Sequence, residues 1–376
     1  MINKLRNWVK YKVASLITKV SFSSKIFGHP KGHYTGVEEY LSHNPEAGTK
    51  KLLLEERVPD KQKNFVRHLV SIKNGRINLD PWSFITDDDK LLFSESSCYG
   101  PNPEDHWVFR SIKLPKVHKF AGKTLFLSCR NNYWHLLADE LCDLSLLTES
   151  GINLNEFDQI VFENSHYNTG KQLQEIFGLS KVNQVSLNKF LHIECEKLFF
   201  FTGTFCLSKH ALSLVKYKIK SYLSQSSAKS RESNKRIVVS RGTSNTRRWL
   251  NEDECMITLN SLGFKLIDPS KLSLSEQVDA FSNAEIILGP HGAGLTNIMF
   301  CNPGTKVIEI RAQEQGGEYS SATCYEELSV IFGIEHHTFP CSCIKRKELK
   351  GRSIEDADLI PDPRRLMNFI CEKELI

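Results

Sequence analysis

The segment Leu288-Gly-Pro-His-Gly-Ala-Gly-Leu-Thr-Asn297 places three glycines and a histidine between two apolar runs. Gly289, Gly292 and Gly294 allow tight turns and close backbone approach. A helix beginning at Gly292 would direct free N–H groups, those of Ala293 and Gly294 among them, at an anion such as a phosphate. His291 in the turn is able to donate to a phosphate oxygen or protonate a leaving phosphate. The spacing fits neither the Walker pattern nor a full G-x-G-x-x-G fingerprint, and a purely structural strand-to-helix turn is the alternative. A second group is Ser240-Arg-Gly-Thr-Ser-Asn-Thr-Arg-Arg248, with Arg241 just past an apolar run and Arg247 and Arg248 in the polar loop that follows. Guanidinium forks match phosphate oxygens bidentately; a solvated basic loop is the plain alternative.

A third group is Asn131-Asn-Tyr-Trp-His-Leu-Leu-Ala-Asp-Glu-Leu141. His135 and Asp139 are four apart and share a helix face. Such a couple suits a general base for a hydroxyl. Tyr133 or Trp134 could stack on a sugar ring, and Asn132 stands at the same helix start. An ordinary helix with a polar first turn would read the same. Finally, Glu309 interrupts the apolar run Lys306–Ile310. A buried carboxylate must be paired or meet a ligand; a ribose diol is one partner, and an edge strand facing water is the alternative.

These groups need elements to carry them. From Lys123 onward short apolar runs alternate with helical periodicity. Strands are expected at 124–128, 157–162, 198–202, 236–240, 264–268, 285–288 and 306–310. Helices are expected at 133–148, 170–177, 210–223, 251–262, 273–283, from 292 to 300, 319–332, and from Arg364 to the end. Gly263 is placed to stop one helix. The alternation predicts an α/β chain with parallel sheets. Residues 52–119 read as an irregular, strand-rich lead-in. The Ser-rich stretch 224–235 reads as a linker. The expected plan is a leader (1–37), an acceptor-side α/β domain (38–223), the linker, a second α/β domain (236–345), and a tail (346–376) whose helix packs back on the first domain. Ligands in such sheets bind at the carboxyl ends of strands, here in the cleft between the halves.

The chain has 376 residues, with 40% apolar and 25% charged residues. This excludes disorder, collagen and low-complexity fibre. Eleven cysteines, odd in number and irregularly spaced, point to a reducing compartment and not to a disulfide framework. Cys341-x-Cys343 lacks a second pair, and no metal site is expected. The net charge of +5 is concentrated. Seven of the 49 basic residues precede Glu38, the first acid, leaving 42 bases against 44 acids. No nucleic-acid partner is expected. The apolar spacing Leu5, Trp8, Val9, Val13, Leu16, Ile17, Val20 within this basic segment describes a helix lying on anionic lipid or packed on the protein's own body.

In order, these motifs resemble glycosyltransferase family 61. They are the Tyr-x-His-x-x-x-Asp helix, the strand ending Ser240-Arg241, the Arg-Arg-x-x-Asn-Glu-Asp-Glu segment ending at Glu254, and the Leu-Ser-Leu-Ser-Glu-Gln-Val run ending at Val278. Gly-Pro-His-Gly-Ala-Gly-Leu-Thr-Asn297 and Val-Ile-Glu-Ile310 complete the set. The resemblance covers about 120–340. Trp134 precedes the histidine where the family has it following, and Cys142-Asp143 replaces Pro-Arg. The resemblance implies an inverting, metal-independent, GT-B-type enzyme with two Rossmann-like domains facing a cleft. It would use a nucleotide sugar, UDP-linked, as substrate with no cofactor, and a glycan or lipid-linked glycan as acceptor in surface or capsular polysaccharide synthesis. It assigns donor binding to Arg241, Arg248, His291, Gly292, Ala293, Gly294, Asn297 and Glu309. Catalysis falls to Asp139 with His135, and acceptor contacts to Asn132, Tyr133 and Trp134. Bacterial relatives are usually cytoplasmic, which suits a chain without a spanning stretch and places it at the inner face of the cell membrane. A non-catalytic sugar-binding protein on the same fold, and more remotely a Rossmann oxidoreductase, are the competing classes. Deleting residues 1–27 is expected to release the protein from anionic liposomes in a sedimentation assay; a full-length chain that stays in the supernatant would make the segment a packing helix.

Overall fold

The computed structural model describes residues 29–45, 47–51, 56–57, 64–79, 82–96, 102–127, 132–185, 191–203, 206–225, 234–242, 244–313, 323–346 and 354–376. Residues 1–28 of the expected leader, most of the expected linker (226–233), Cys98 and Cys129 lie outside the described residues; the rest of that leader, 29–37, is described and supplies a strand, Gly32–Tyr34, to the first sheet.

Two sheets carry the fold. The first has ten strands: β1 (Gly32–Tyr34), β2 (Gly48–Lys51), β3 (His68–Lys73), β4 (Arg76–Leu79), β5 (Trp82–Ile85), β6 (Lys90–Leu92), β7 (His118–Phe126), β8 (Gln159–Val161), β9 (Gln184–Val185) and β10 (His192–Phe201). Their order is β1-β6-β5-β4-β10-β7-β8-β9, with β3 also on β10 and β2 on β3. β10, β7 and β8 form the expected parallel set, and β9, not among the expected strands, pairs parallel with β8. The lead-in departs from expectation. Its strands join this same sheet, β3 and β4 pairing antiparallel with β10. β3 and β4 follow one another along β10 in the same direction, and the short links from β4 to β5 and from β5 to β6 turn back as hairpins. The first sheet is therefore mixed and not a plain parallel Rossmann-like layer.

The second sheet runs β11 (Arg236–Val239), β12 (Lys265–Ile267), β13 (Ile286–Pro290), β14 (Lys306–Ala312), β15 (Glu335–Ile344) and β16 (Asp358–Ile360). Their order is β12-β11-β13-β14-β15-β16, parallel except for β16. After β11 the chain winds to one side to form β12, then returns past β11 to form β13. The order reverses between β11 and β13.

Central strands such as β8, β11, β13 and β14 are buried almost throughout because both faces of their sheet are covered there. Alternate residues serve alternate layers. Leu125 and Leu127 enter one core and Phe126 another. Ile237, Val239 and Ile287 enter the first core, while Val238, Ile286 and Leu288 enter a third. The first core is continuous between the sheets. It combines Leu212, Val215 and Ile219 of helix Lys209–Ser224 with Leu295, Met299, Phe300 and Leu328. Helix Glu252–Ser261 ends at Gly263, whose φ of +81° is the left-handed stop expected of it. Helix Leu274–Asn283 opens with a capping box from Ser273 and Glu276.

Two expectations are corrected. The last helix, Pro363–Glu372, packs on the second sheet and not on the first: Leu366 and Ile370 join the core of Phe339 and Leu259, and Phe369 meets Phe339 at 5.3 Å between rings. Its apolar stripe matches the outer face that β15 leaves open. The segment after Gly292 is a 3-10 helix, Ala293–Phe300, and not an α-helix. Leu295 to Phe300 are all buried, and the narrower 3-10 coil threads that crowded space. No described helix is long and apolar enough to cross a membrane. The nine described cysteines are all free.

One ion pair is fully enclosed. Arg67 meets Asp143 at 2.6 Å, with side-chain exposures of 0% and 1%. Arg67 also donates to the carbonyls of Gly203 (2.7 Å) and Cys206 (2.8 Å). Removing one partner strands a buried charge. Asp143→Ala is expected to cost about 3–5 kcal/mol in urea unfolding; a cost below about 1 kcal/mol would show that the pair carries little of the fold.

Candidate functional site

A cavity of about 380 Å³ opens where β11 and β13 end. This is the switch point of the second sheet, the general ligand position in open α/β sheets. Val239, Ser240 and Arg241 line it from the end of β11, and Pro290, Gly292, Ala293, Gly294 and Asn297 from the end of β13. The facing wall comes from the first sheet: Asn132 and Tyr133 follow β7, and Tyr167 and Thr169 follow β8.

The glycines have separable duties. A Cβ on Gly289 would lie 2.9 Å from the Val239 Cβ, and one on Gly294 would lie 3.1 Å from its Cγ1. These two let the turn pack onto β11. A Cβ on Gly292 would collide with the Arg241 guanidinium. Its absence lets that guanidinium lie on the turn, where Nη1 donates to the His291 carbonyl (3.1 Å) and Nη2 to Ser244 Oγ (2.7 Å). Arg241 Nε is buried without a partner. Burial, then the nearby Arg247, bring the Arg241 pKa down to about 10. A cation desolvated near a second cation favours an anion close to it.

Arg247, and not Arg248, is the cation whose charge acts on Arg241, although it does not itself line the cavity. Arg248 is fastened elsewhere, with Nε at 3.0 Å and Nη2 at 2.5 Å from Asp358 Oδ2. Its carbonyl accepts from Leu359 N at 2.8 Å, beside β16. Arg247 has a φ of +54°. Its Nε is likewise buried without a partner. Two adjacent arginines look equivalent in sequence; β16, distant in the chain, decides between them.

His291 and Glu309 stand behind the turn and not among the lining residues. His291 Nδ1 bonds Glu309 Oε1, while Glu309 Oε2 bonds His336 Nε2 at 3.0 Å. Glu309 is 1% exposed, so it is no edge-strand acid. Both oxygens are taken by imidazoles, and the ribose contact expected of it has no free acceptor face. His336 went unnoticed in the sequence; as Val307's register partner on β15 it needs the sheet pairing to come into view. Nδ1 being engaged, Nε2 of His291 is the nitrogen left for a ligand, and it has no partner among the described residues. Among the described residues no group of three or more His, Cys, Asp or Glu is arranged to hold a metal ion.

The third sequence group splits. Tyr133 donates from its hydroxyl to Asn297 Oδ1 at 2.8 Å, and burial pushes its own pKa upward. Asn132 caps the helix start, accepting from Trp134 N at 2.8 Å. Trp134 does not line the cavity. Its ring meets Tyr325 edge-on at 5.2 Å, and Tyr325 meets His291 at 5.1 Å. His135 Nδ1 and Asp139 Oδ2 are 2.6 Å apart, as the spacing predicts. The helix is not regular there. A short α stretch Tyr133–His135 passes into a π stretch Leu136–Glu140 and then α again, Leu141–Glu149. Such π insertions are uncommon and often mark functional positions. Asp139 is buried, with 4% of its side chain exposed against 21% for His135.

Sequence reasoning missed Asp268, Ser270, Ser244 and Gln277 in the lining. Asp268 stands just past β12, so the strand-end rule would have found it. Burial alone would raise its pKa, but hydrogen bonds from Ser270 and Lys271 hold it down.

Residues 133–308 match the family described as Glycosyltransferase 61. The EGF domain-specific O-linked N-acetylglucosamine transferase of Gallus gallus is 29% identical over 109 residues, 28% of this chain and 19% of that protein. The beta-1,2-xylosyltransferase of Arabidopsis thaliana is 32% identical over 81 residues, 21% of this chain and 14% of that protein. The matched stretches thus span less than a fifth of these relatives' length. Against the E. coli heptosyltransferase WaaC with ADP the TM-score is 0.28 at 8% identity, over 67% of this chain and 98% of that one, too low to superpose the two folds.

Burial alone would raise the Glu309 pKa, but the hydrogen bonds from His291 and His336 override it and hold the carboxyl at about 2, below its ordinary 4.5. A depressed carboxyl contributes stability that is present above the unfolded value and lost as pH falls through the folded one. The stability difference between wild type and Glu309→Gln is therefore expected to be constant above about pH 5 and to shrink between about pH 4.5 and 2, measured by urea unfolding at each pH. A difference independent of pH across that window would contradict the pairing.

Proposed function

We propose that this chain, which carries the glycosyltransferase 61 segment at residues 133–308, is a glycosyltransferase that takes its donor in the cavity between β11 and β13. The observation that carries this reading is the half-buried Arg241 guanidinium, with the charge of Arg247 acting on it, beside a glycine turn at a sheet switch point. A mostly apolar cavity lined by a half-buried guanidinium, with a second cation close by, suits a diphosphate. The donor we propose is a nucleotide sugar, UDP-linked, and the acceptor a glycan or lipid-linked glycan of surface or capsular polysaccharide. The cavity's two walls, one from each sheet, are the arrangement a GT-B-type enzyme needs, and this supports that fold assignment. The proposal includes residues 1–27 as a helix on the inner face of the cell membrane.

The reaction is a single inverting displacement. An acceptor hydroxyl oxygen attacks the anomeric carbon, the bond from that carbon to the diphosphate oxygen breaks, and its electron pair leaves with the diphosphate. Arg241, Arg247 and the first N–H groups of the 3-10 helix offset the developing charge without a metal. Nε2 of His291, its ring fixed by Glu309 at Nδ1, donates to the same leaving group. The acceptor proton goes to His135. Asp139 is the buried member of that couple, so it orients the imidazole through Nδ1 and leaves Nε2 as base, the division of labour of a His–Asp pair elsewhere. This reverses the order suggested by the sequence, where Asp139 took the proton.

Arg241→Ala and Arg247→Ala are each expected to lower transfer by about 10²–10³-fold, the scale of losing one group that stabilises transition-state charge. Arg248→Ala should keep the turnover rate and lower only thermal stability. A thermal-shift screen over nucleotide sugars should show one donor raising the melting temperature of wild type and failing to do so for Arg241→Ala. Full activity in both Arg241→Ala and Arg247→Ala would overturn the donor site. A donor that binds and is neither transferred nor hydrolysed would favour the non-catalytic reading.

A further inference from the structure

A second cavity, of about 300 Å³, lies within the first sheet's half of the molecule. Much of its wall is aromatic: Trp82 and Phe84 of β5, Phe126 at the end of β7, and Phe201 at the end of β10. β7 and β10 run parallel, so the cavity sits at strand carboxyl ends, the position where such sheets bind ligands. The polar groups in its wall include two acids, Glu95 and Asp143, and no Lys or Arg among the described residues. Asp143 is neutralised from behind by Arg67. Glu95 has no such counterion among the described residues: its Oε2 is buried and has no hydrogen-bond partner. Burial raises the Glu95 pKa, overriding the bonds its carboxyl does accept.

The donor cavity and this one are thus of opposite sign. The first is lined by the half-buried Arg241 guanidinium; the second, among the described residues, has one carboxyl without a counterion. An anionic ligand would be repelled from the second cavity, whereas a ring with apolar C–H faces and hydroxyl or ammonium donors would find aromatic walls and an acceptor. The volume is at the small end for ligand sites, which suits a single ring. Asp143 also stands four residues beyond Asp139 on one helix, so the cavity is about one turn from the His135–Asp139 couple.

We infer that this cavity is a subsite for an uncharged or amine-bearing sugar ring of the acceptor, and that it rejects uronic acids and other anionic sugars. The inference rests on the glycosyltransferase reading for the word acceptor, but the ligand class follows from the cavity's own residues.

The test uses the full chain and ligand-observed saturation-transfer NMR with three probes: methyl glucoside, methyl glucosaminide and methyl glucuronide. UDP serves as a separate probe of the donor cavity. The glucoside and glucosaminide are expected to bind, with the glucuronide at least about tenfold weaker. In Glu95→Gln that discrimination should fall to near unity while UDP binding is unchanged. Glucuronide binding as tight as the glucoside, no signal from any glycoside, or unaltered discrimination in Glu95→Gln would each overturn the subsite. If Glu95→Gln does not fold, the wild-type ranking of the three probes decides alone. Loss of UDP binding with glycoside ranking intact would count against the donor cavity and leave the subsite standing, so the two readings fail separately.

Discussion

The amide of Asn297 holds the two walls of the cavity between β11 and β13 together. It is fully buried, and a buried amide must satisfy both its acceptor and its donors. Its oxygen accepts from the Tyr133 hydroxyl at 2.8 Å, on the first sheet's side. Its nitrogen donates to Gln277 Oε1 at 2.9 Å, on the second sheet's side. Gln277 in turn donates to the Pro269 carbonyl at 2.7 Å, just after β12. One short chain of bonds thus fixes the distance from the helix start after β7 to the loops after β12 and β13. Asn132, Tyr133, Pro269, Ser270 and the turn from Pro290 to Gly294 take their places in the cavity wall from those three elements.

Around this fixed frame, charge is managed by close approach. The missing side chain at Gly292 lets the Arg241 guanidinium rest on the turn backbone, and the His291 carbonyl then orients it. The same turn sends the His291 ring the other way, onto Glu309. A carboxylate this deeply buried is tolerated because two imidazoles meet it. The cost of its desolvation is offset by bonds that fix the ring and tautomer of His291. The expected tie between Glu309 and a ligand is replaced by an internal one, and its effect on chemistry runs through His291.

Local chemistry was legible in the residues; partnership across the sheet was not. The Gly263 stop, the helix opening at Ser273, the His135–Asp139 couple and the strand-to-turn geometry at Pro290 depend on neighbours within a few positions, and each stands where the spacing puts it. Glu309's partner His336, the choice of Arg247 over Arg248, and the outward docking of the last helix depend on β15 and β16, which arrive late in the chain. The lead-in was the least readable part. Its strands are short and mostly buried on both faces, so they lack the alternation that marks a half-exposed strand. The 3-10 coil at Ala293–Phe300 was hidden for a similar reason: its tightness comes from crowding by its neighbours and not from its own residue types.

The continuity of the first core alters how water is kept from the reaction. Two domains joined only by a linker would close over their ligand by a hinge. Here Leu212, Val215 and Ile219 of the long helix share one apolar layer with Met299, Phe300 and Leu328 from the other half. Lys216 adds a bond to the Cys301 carbonyl at 3.1 Å. Parting the halves would return those side chains to water at about 25 cal/mol for each Å² exposed. A wide hinge motion is therefore opposed by the same burial that makes the fold stable. Shelter at the cavity between β11 and β13 then comes from its built walls, with Tyr133 and Tyr167 on one side and Val239 and Pro290 on the other. Ligand entry to the cavity falls to the loops past the strand ends.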